Sequence, residues 1–177
     1  EDCYCPQLFP GVAVAKKEFS IIAKWLEDEN VDGYLLETMN NIPETKSCLE
    51  VIRESSLPVW ISFNLKDSNR LQSGETLEDA INMSSDFDVE CILLNCNPII
   101  RTQDALEILS ESCSMWGIYP KLGIGEPSPN GVISSYHSDI EFLDLCKKAL
   151  ELGASVLGGC CGTSPQHIKL LKDNFLG

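Results

Sequence analysis

Basic residues are scarce in this 177-residue chain: 13 lysines and arginines stand against 27 aspartates and glutamates, for a formal net charge of −14. That balance leaves no basic footprint, so neither nucleic acid nor an anionic membrane surface is expected as a partner. Long apolar runs are missing as well. No stretch approaches the ~20 residues of a membrane helix, and the amino terminus has no signal-peptide pattern. There are two histidines, His137 in a loop and His167 in the first turn of the last helix. Both read as surface or packing residues, not ligands. No repeat is visible, which sets aside solenoids and arrays.

Cysteine, in contrast, is plentiful. Nine is an odd number, so a full set of internal disulfides is excluded, and a chain of this length can build a core without such staples. A reducing, cytoplasmic setting is expected. The hydrophobic share of 44% and charged share of 23% describe one globular unit. Residues 1–15 read as an irregular N-terminal segment in which Cys3 and Cys5 belong to a loose terminus. Within it, Gly11-Val12-Ala13-Val14 is at most a remnant strand. The chain starts with glutamate, so an upstream portion is expected to be missing.

The most informative stretch is Gly158-Gly159-Cys160-Cys161-Gly162-Thr163. Adjacent strand residues point to opposite faces, so bringing both sulfurs to one point needs a kink, and glycine permits it. Thiolates are ligands that zinc favours, and a catalytic zinc keeps three protein ligands and one open position. Cys96 is the best third candidate, since Glu90 to Cys96 is an apolar strand giving way to Asn97-Pro98. Cys48, Cys91, Cys113 and Cys146 read as core residues.

Strand and helix patterns alternate along the chain. Phe19, Ile22, Trp25 and Leu26 define an amphipathic helix from Lys16 to Glu29, and Tyr34 to Thr38 is a strand carrying Glu37 at its end. A helix opens near Pro43, and Leu57 to Asn64 forms the second strand. A polar loop, Lys66 to Gly74, precedes a capping box at Thr76 and Asp79. The strand ending in Cys96 comes next, then a helix around Ala105 to Leu109 and a fourth strand, Tyr119 to Ile124. Gly125 to Tyr136 is long enough to be a lid. Ser138 and Glu141 cap a helix running to Gly153, and a short strand leads to the cysteine pair and a final helix. Such alternation predicts an α/β fold with a parallel sheet. Whether the sheet is a barrel or open, the strand ends carrying Glu37, Cys96, Cys160 and Cys161 would share one face.

Leu36-Glu37-Thr38, Trp60 to Phe63, Leu71 to Glu75, Asn95-Cys96, Tyr119-Pro120 and Gly158 to Thr163 together resemble the homocysteine S-methyltransferase family. The resemblance implies a (β/α)8 barrel of the TIM type, here incomplete with about five strand–helix units, because such barrels usually need ~250 residues. Residues 1–177 would form a single homocysteine-binding domain. It implies Zn2+ held by Cys96, Cys160 and Cys161, with Glu37 binding the substrate's ammonium group. The activity implied is methyl transfer to the thiolate of homocysteine, giving methionine. A sulfonium donor such as S-methylmethionine or S-adenosylmethionine suits the negative site. Lys121 departs from the asparagine that many relatives carry after Tyr-Pro. The first three strands are absent, so a partner chain or a missing N-terminal segment would complete the barrel. The alternative is a catalytically inactive zinc-binding or interaction protein derived from such an enzyme.

Overall fold

Helix and strand alternate through both halves of the computed structural model, which describes residues 4–125, 128, 130 and 132–176. Cys3, and Glu126, Pro127, Pro129 and Gly131 of the expected lid, lie outside the described residues. Where the sequence suggests one domain, the chain divides into two units, Glu1–Ile92 and Leu93–Gly177, with the division inside the third strand.

The first unit holds α1 (Val12–Asp28), β1 (Tyr34–Met39), α2 (Ile42–Val51), β2 (Val59–Phe63) and α3 (Leu77–Ser84). The expectation of an irregular 1–15 segment is corrected here: Pro6–Leu8 is a short 3-10 turn, and α1 begins at Val12. Gly11, at φ +93°, turns the chain into the helix, and the alanines at 13 and 15 are strong helix formers, so Gly11 to Val14 is no remnant strand. Lys16 pairs with Glu50 of α2 at 2.6 Å. Ala15 is the one buried residue of α1, and Trp25 is 64% exposed. Spacing therefore located an apolar stripe without fixing what covers it.

Asn41 caps α2 by accepting the Glu44 N–H at 2.7 Å, and Thr76 caps α3 by accepting that of Asp79 at 3.0 Å. β1 and β2 are parallel, with Tyr34, Leu35 and Leu36 opposite Val59, Trp60 and Ile61. The segment between β2 and α3 is less polar than expected. Leu65 bridges to Leu71, and both are fully buried, as is Leu77 at the start of α3.

The second unit takes up β3 (Cys91–Pro98) and continues through α4 (Ile99–Asp104), α5 (Leu106–Ser112), β4 (Trp116–Lys121), α6 (Asp139–Glu151), β5 (Val156–Leu157) and α7 (Pro165–Phe175). The fourth strand lies three residues earlier than expected. Gly117 and Ile118 pair in parallel with Val156 and Leu157, while beyond Lys121 the chain leaves regular strand and Gly123 bridges Tyr136. The helix after β3 opens directly at Ile99 and breaks at Ala105.

Phe142, Leu145, Cys146 and Ala149 form the buried stripe of α6, which packs on β4 and α7. Burial pushes the thiols of Cys48 and Cys146 up to about 12 and that of Cys113 to about 11, so all three stay protonated. Of the four cysteines expected in the core, only Cys146 and Cys91 are fully buried, Cys48 and Cys113 being half-buried. Among the described residues no helix is long and apolar enough to cross a membrane.

The capping box of α6 gives a pH signature. Glu141 donates its N–H to Ser138 Oγ at 3.3 Å, and the Ser138 N–H donates to the Glu141 carboxylate at 2.8 Å. That backbone donor first, then His137 and the Ser138 hydroxyl, lower the Glu141 carboxyl from 4.5 to about 2. A depressed folded-state value stabilises the fold above the unfolded value, and the contribution is lost as pH falls from 4.5 towards 2. Glu141→Gln should flatten the loss of thermal stability across that window. Ser138→Ala should cost about 1 kcal/mol at neutral pH by chemical denaturation.

Candidate functional site

β3 runs buried to Asn95, and then its alternation stops. Cys96 takes φ +54°, a left-handed conformation uncommon for a side-chain-bearing residue, and Asn95, Cys96 and Asn97 are all buried. Such a conformation costs roughly 1–2 kcal/mol and persists only where the surroundings hold it. Just beyond it, Thr102 of α4 donates its hydroxyl to the Pro98 carbonyl at 3.1 Å, a local bond at the start of that helix.

The segment after β5 is held against the end of β4. Gly158 donates to the Ile118 carbonyl at 2.9 Å, Cys160 to that of Pro120 at 3.0 Å, and Leu122 returns a bond to Cys161 at 2.9 Å. Thr163 closes the turn by donating its N–H and its hydroxyl to the Cys160 carbonyl, at 3.0 and 2.7 Å. A Cβ on Gly159 would lie 2.5–2.7 Å from the Thr163 side chain, so only glycine admits this closure.

The two segments bring Cys96, Cys160 and Cys161 together, with their sulfurs all within 4.8 Å of one another. Cys96 and Cys160 are joined as a disulfide, and the Cys161 sulfur lies 3.4 Å from that of Cys96. Among the described residues these are the group of histidine, cysteine and carboxylate side chains able to hold a metal ion. The fit to zinc is chemical as well as spatial. Tetrahedral zinc with sulfur bonds of ~2.3 Å separates its sulfurs by roughly 3.8 Å, inside the observed span, and a set of three thiolates selects a soft or borderline ion. Exposure increases from buried Cys96 through Cys160 to exposed Cys161, so the cluster is reached from the Cys161 side.

Glu37 belongs to the first unit, on β1, and is exposed between buried Leu36 and half-buried Thr38. Neither histidine joins the cysteines. His167 accepts the Ser164 N–H at 2.9 Å, lies 3.4 Å from the Asp139 carboxylate and meets the Phe142 ring edge-on, while His137 contacts Glu141 at 2.8 Å. Thr38, Ser62 and Tyr136 were given no role of their own by sequence reasoning, and Gly162 was named only among the glycines that permit the kink. Gly162, at φ +86°, sits under the Tyr136 ring, a pairing that no sequence spacing signals.

The family model for homocysteine S-methyltransferase matches residues 7–175. The chain is 28% identical to homocysteine S-methyltransferase 1 of Brassica oleracea var. italica over 161 residues, covering 83% of this chain and 47% of that protein. It is 29% identical to selenocysteine methyltransferase of Astragalus bisulcatus over 150 residues, covering 81% and 44%. The apo form of the homocysteine methyltransferase MmuM from Escherichia coli superposes with a TM-score of 0.75 at 25% identity, covering 94% of this chain and 59% of that one. The metallated form of MmuM gives 0.71, covering 89% and 51%. The chain spans about half the length of the curated relatives it matches. Its fold is α/β of the (β/α)8-barrel type, here incomplete, with five strands among the described residues.

The turn after the cysteines is testable through two glycines of the second unit. An alanine Cβ at Gly162 would meet the Tyr136 ring at 2.8 Å, whereas at Gly153, also of positive φ, it would meet nothing within 4 Å. Gly153→Ala should cost about 1–2 kcal/mol of backbone strain. Gly162→Ala should cost more than that, read by thermal denaturation.

Proposed function

Because the chain belongs to the homocysteine S-methyltransferase family, we propose that reduced Cys96, Cys160 and Cys161 hold a zinc ion and that the protein serves methyl transfer to the sulfur of homocysteine. The observation that carries this reading is the convergence of three sulfurs, from two distant segments, within 4.8 Å. Zinc at these sulfurs would supply one thing, the conversion of a substrate thiol of ordinary pKa about 8.5 into a thiolate at neutral pH.

The protein's own groups do the rest. Each cysteine gives up its proton and its lone pair, and the three negative charges outweigh a divalent cation by one. A positively charged donor is therefore drawn to the site and a negatively charged one repelled. The methyl–sulfur bond of a sulfonium donor breaks with its electron pair returning to the donor sulfur, and the homocysteine thiolate takes the methyl group. S-methylmethionine and S-adenosylmethionine both fit this description. Glu37 is assigned to the ammonium group of homocysteine, because an ionised carboxylate only accepts hydrogen bonds and an ammonium only donates them.

Reduced protein should bind about one zinc per chain, as expected of a single three-thiolate site. Cys96→Ser, Cys160→Ser and Cys161→Ser should each lose most of it by metal analysis. Zinc-loaded chain supplied with homocysteine and S-methylmethionine should form methionine. Absence of zinc from the reduced chain would overturn the metal assignment, while zinc without turnover would favour a zinc-binding or interaction protein derived from such an enzyme.

A further inference from the structure

β1 carries one more residue than its partner strand. Leu36 lies opposite Ile61, but Met39, not Thr38, lies opposite Phe63, so the register slips between Leu36 and Met39. Glu37 and Thr38 thus share the place opposite Ser62, which is the arrangement of a β-bulge. Thr38 has φ +59°. Regular pairing resumes beyond it, with Asn64 donating to the Met39 carbonyl at 2.9 Å. Burial follows the slip. Tyr34, Leu36 and Met39 are buried, where strict alternation would have buried residue 38 and exposed residue 39.

A backbone donor displaced by a bulge needs a new acceptor, because leaving it unmade is costly. Ser62 supplies one. Its hydroxyl accepts the Thr38 N–H at 3.1 Å, from the next-to-last residue of β2, which is 0% exposed. The geometry points to Ser62 as a positioning residue: its hydroxyl holds the bulge that presents the Glu37 carboxylate, and so sets the preference for a thiol substrate that carries an amino group. This rests on the reading of Glu37 above.

Two observations separate this role from packing alone. The hydroxyl engages the one residue of β1 with a positive φ, and that residue directly follows the carboxylate. Bulges also characteristically re-aim a side chain beside a functional site.

The test is calorimetric titration of the reduced, zinc-loaded chain with L-homocysteine and with 4-mercaptobutanoate, the same thiol acid without its amino group. Wild type should prefer homocysteine by about 10- to 100-fold, the range of a hydrogen bond to a charged group. Ser62→Ala should cut that ratio at least fivefold with zinc content and affinity for 4-mercaptobutanoate unchanged. Adding Thr38→Gly to Ser62→Ala should restore part of the ratio, since glycine takes a positive φ without strain. Ser62→Cys keeps the volume but is a weak acceptor, and gives the same reading if the alanine variant does not fold. A ratio kept by Ser62→Ala but lost by Glu37→Gln overturns the role of Ser62 alone, as does an equal weakening towards both thiols. No preference in the wild-type chain overturns the assignment of Glu37, and that of Ser62 with it.

Discussion

A β-strand sends successive side chains to opposite faces, and this chain places its candidate site residues where that alternation is interrupted. Cys96 is itself a left-handed residue within β3, and Glu37 precedes another on β1. The two adjacent cysteines lie beyond β5 in a turn that ends at Gly162, also of positive φ. Regular strands would have separated Cys160 from Cys161 across the sheet. Two of the interruptions are held by specific bonds: the Ser62 hydroxyl at Thr38, and the Thr163 hydroxyl on Cys160. A left-handed residue costs roughly 1–2 kcal/mol, and a typical net hydrogen bond returns about 1 kcal/mol. Several bonds per turn are therefore needed, and the Cys160 turn has them from both β4 and Thr163.

The same contrast divides the cysteines. Cys48, Cys113 and Cys146 meet only burial and, at Cys48, the nearby Glu44, all of which raise a thiol's pKa. They act as small apolar side chains. Cys96, Cys160 and Cys161 differ in having one another as neighbours, and it is this proximity, not burial, that marks them.

How much of this could be read from the sequence depends on the distance over which a signal acts. The glycines around Cys160 and Cys161 and the Ser138–Glu141 box are local patterns, and each appears in place, whereas the strand expected to end at Cys96 runs on to Pro98. The fourth strand was read three residues late because Leu122 and Ile124 extend its apolar pattern, although the partners in β5 end opposite Ile118. Strand limits are set by the neighbour, which the pattern does not contain. Thr38 and Ser62 are 24 positions apart, and nothing in either residue type announces the bond between them. The exposed stripe of α1 is the converse case, a local periodicity whose burial depends on what lies beside it.

Electrostatics explains why such a cluster needs a companion. Two thiolates 4.8 Å apart repel each other by roughly 3–4 kcal/mol at an effective dielectric near 20, and a third repels both. The full set of negative charges is therefore untenable alone, least of all at buried Cys96. Three outcomes relieve it: protons on the sulfurs, a bond between two of them, or a divalent cation among them. The pairing of Cys96 with Cys160 is the second of these and leaves Cys161 outside the bond. The cation differs from the other two in keeping every sulfur anionic while leaving room for a guest. A fold that spends backbone strain to gather three sulfurs is therefore best matched by that outcome.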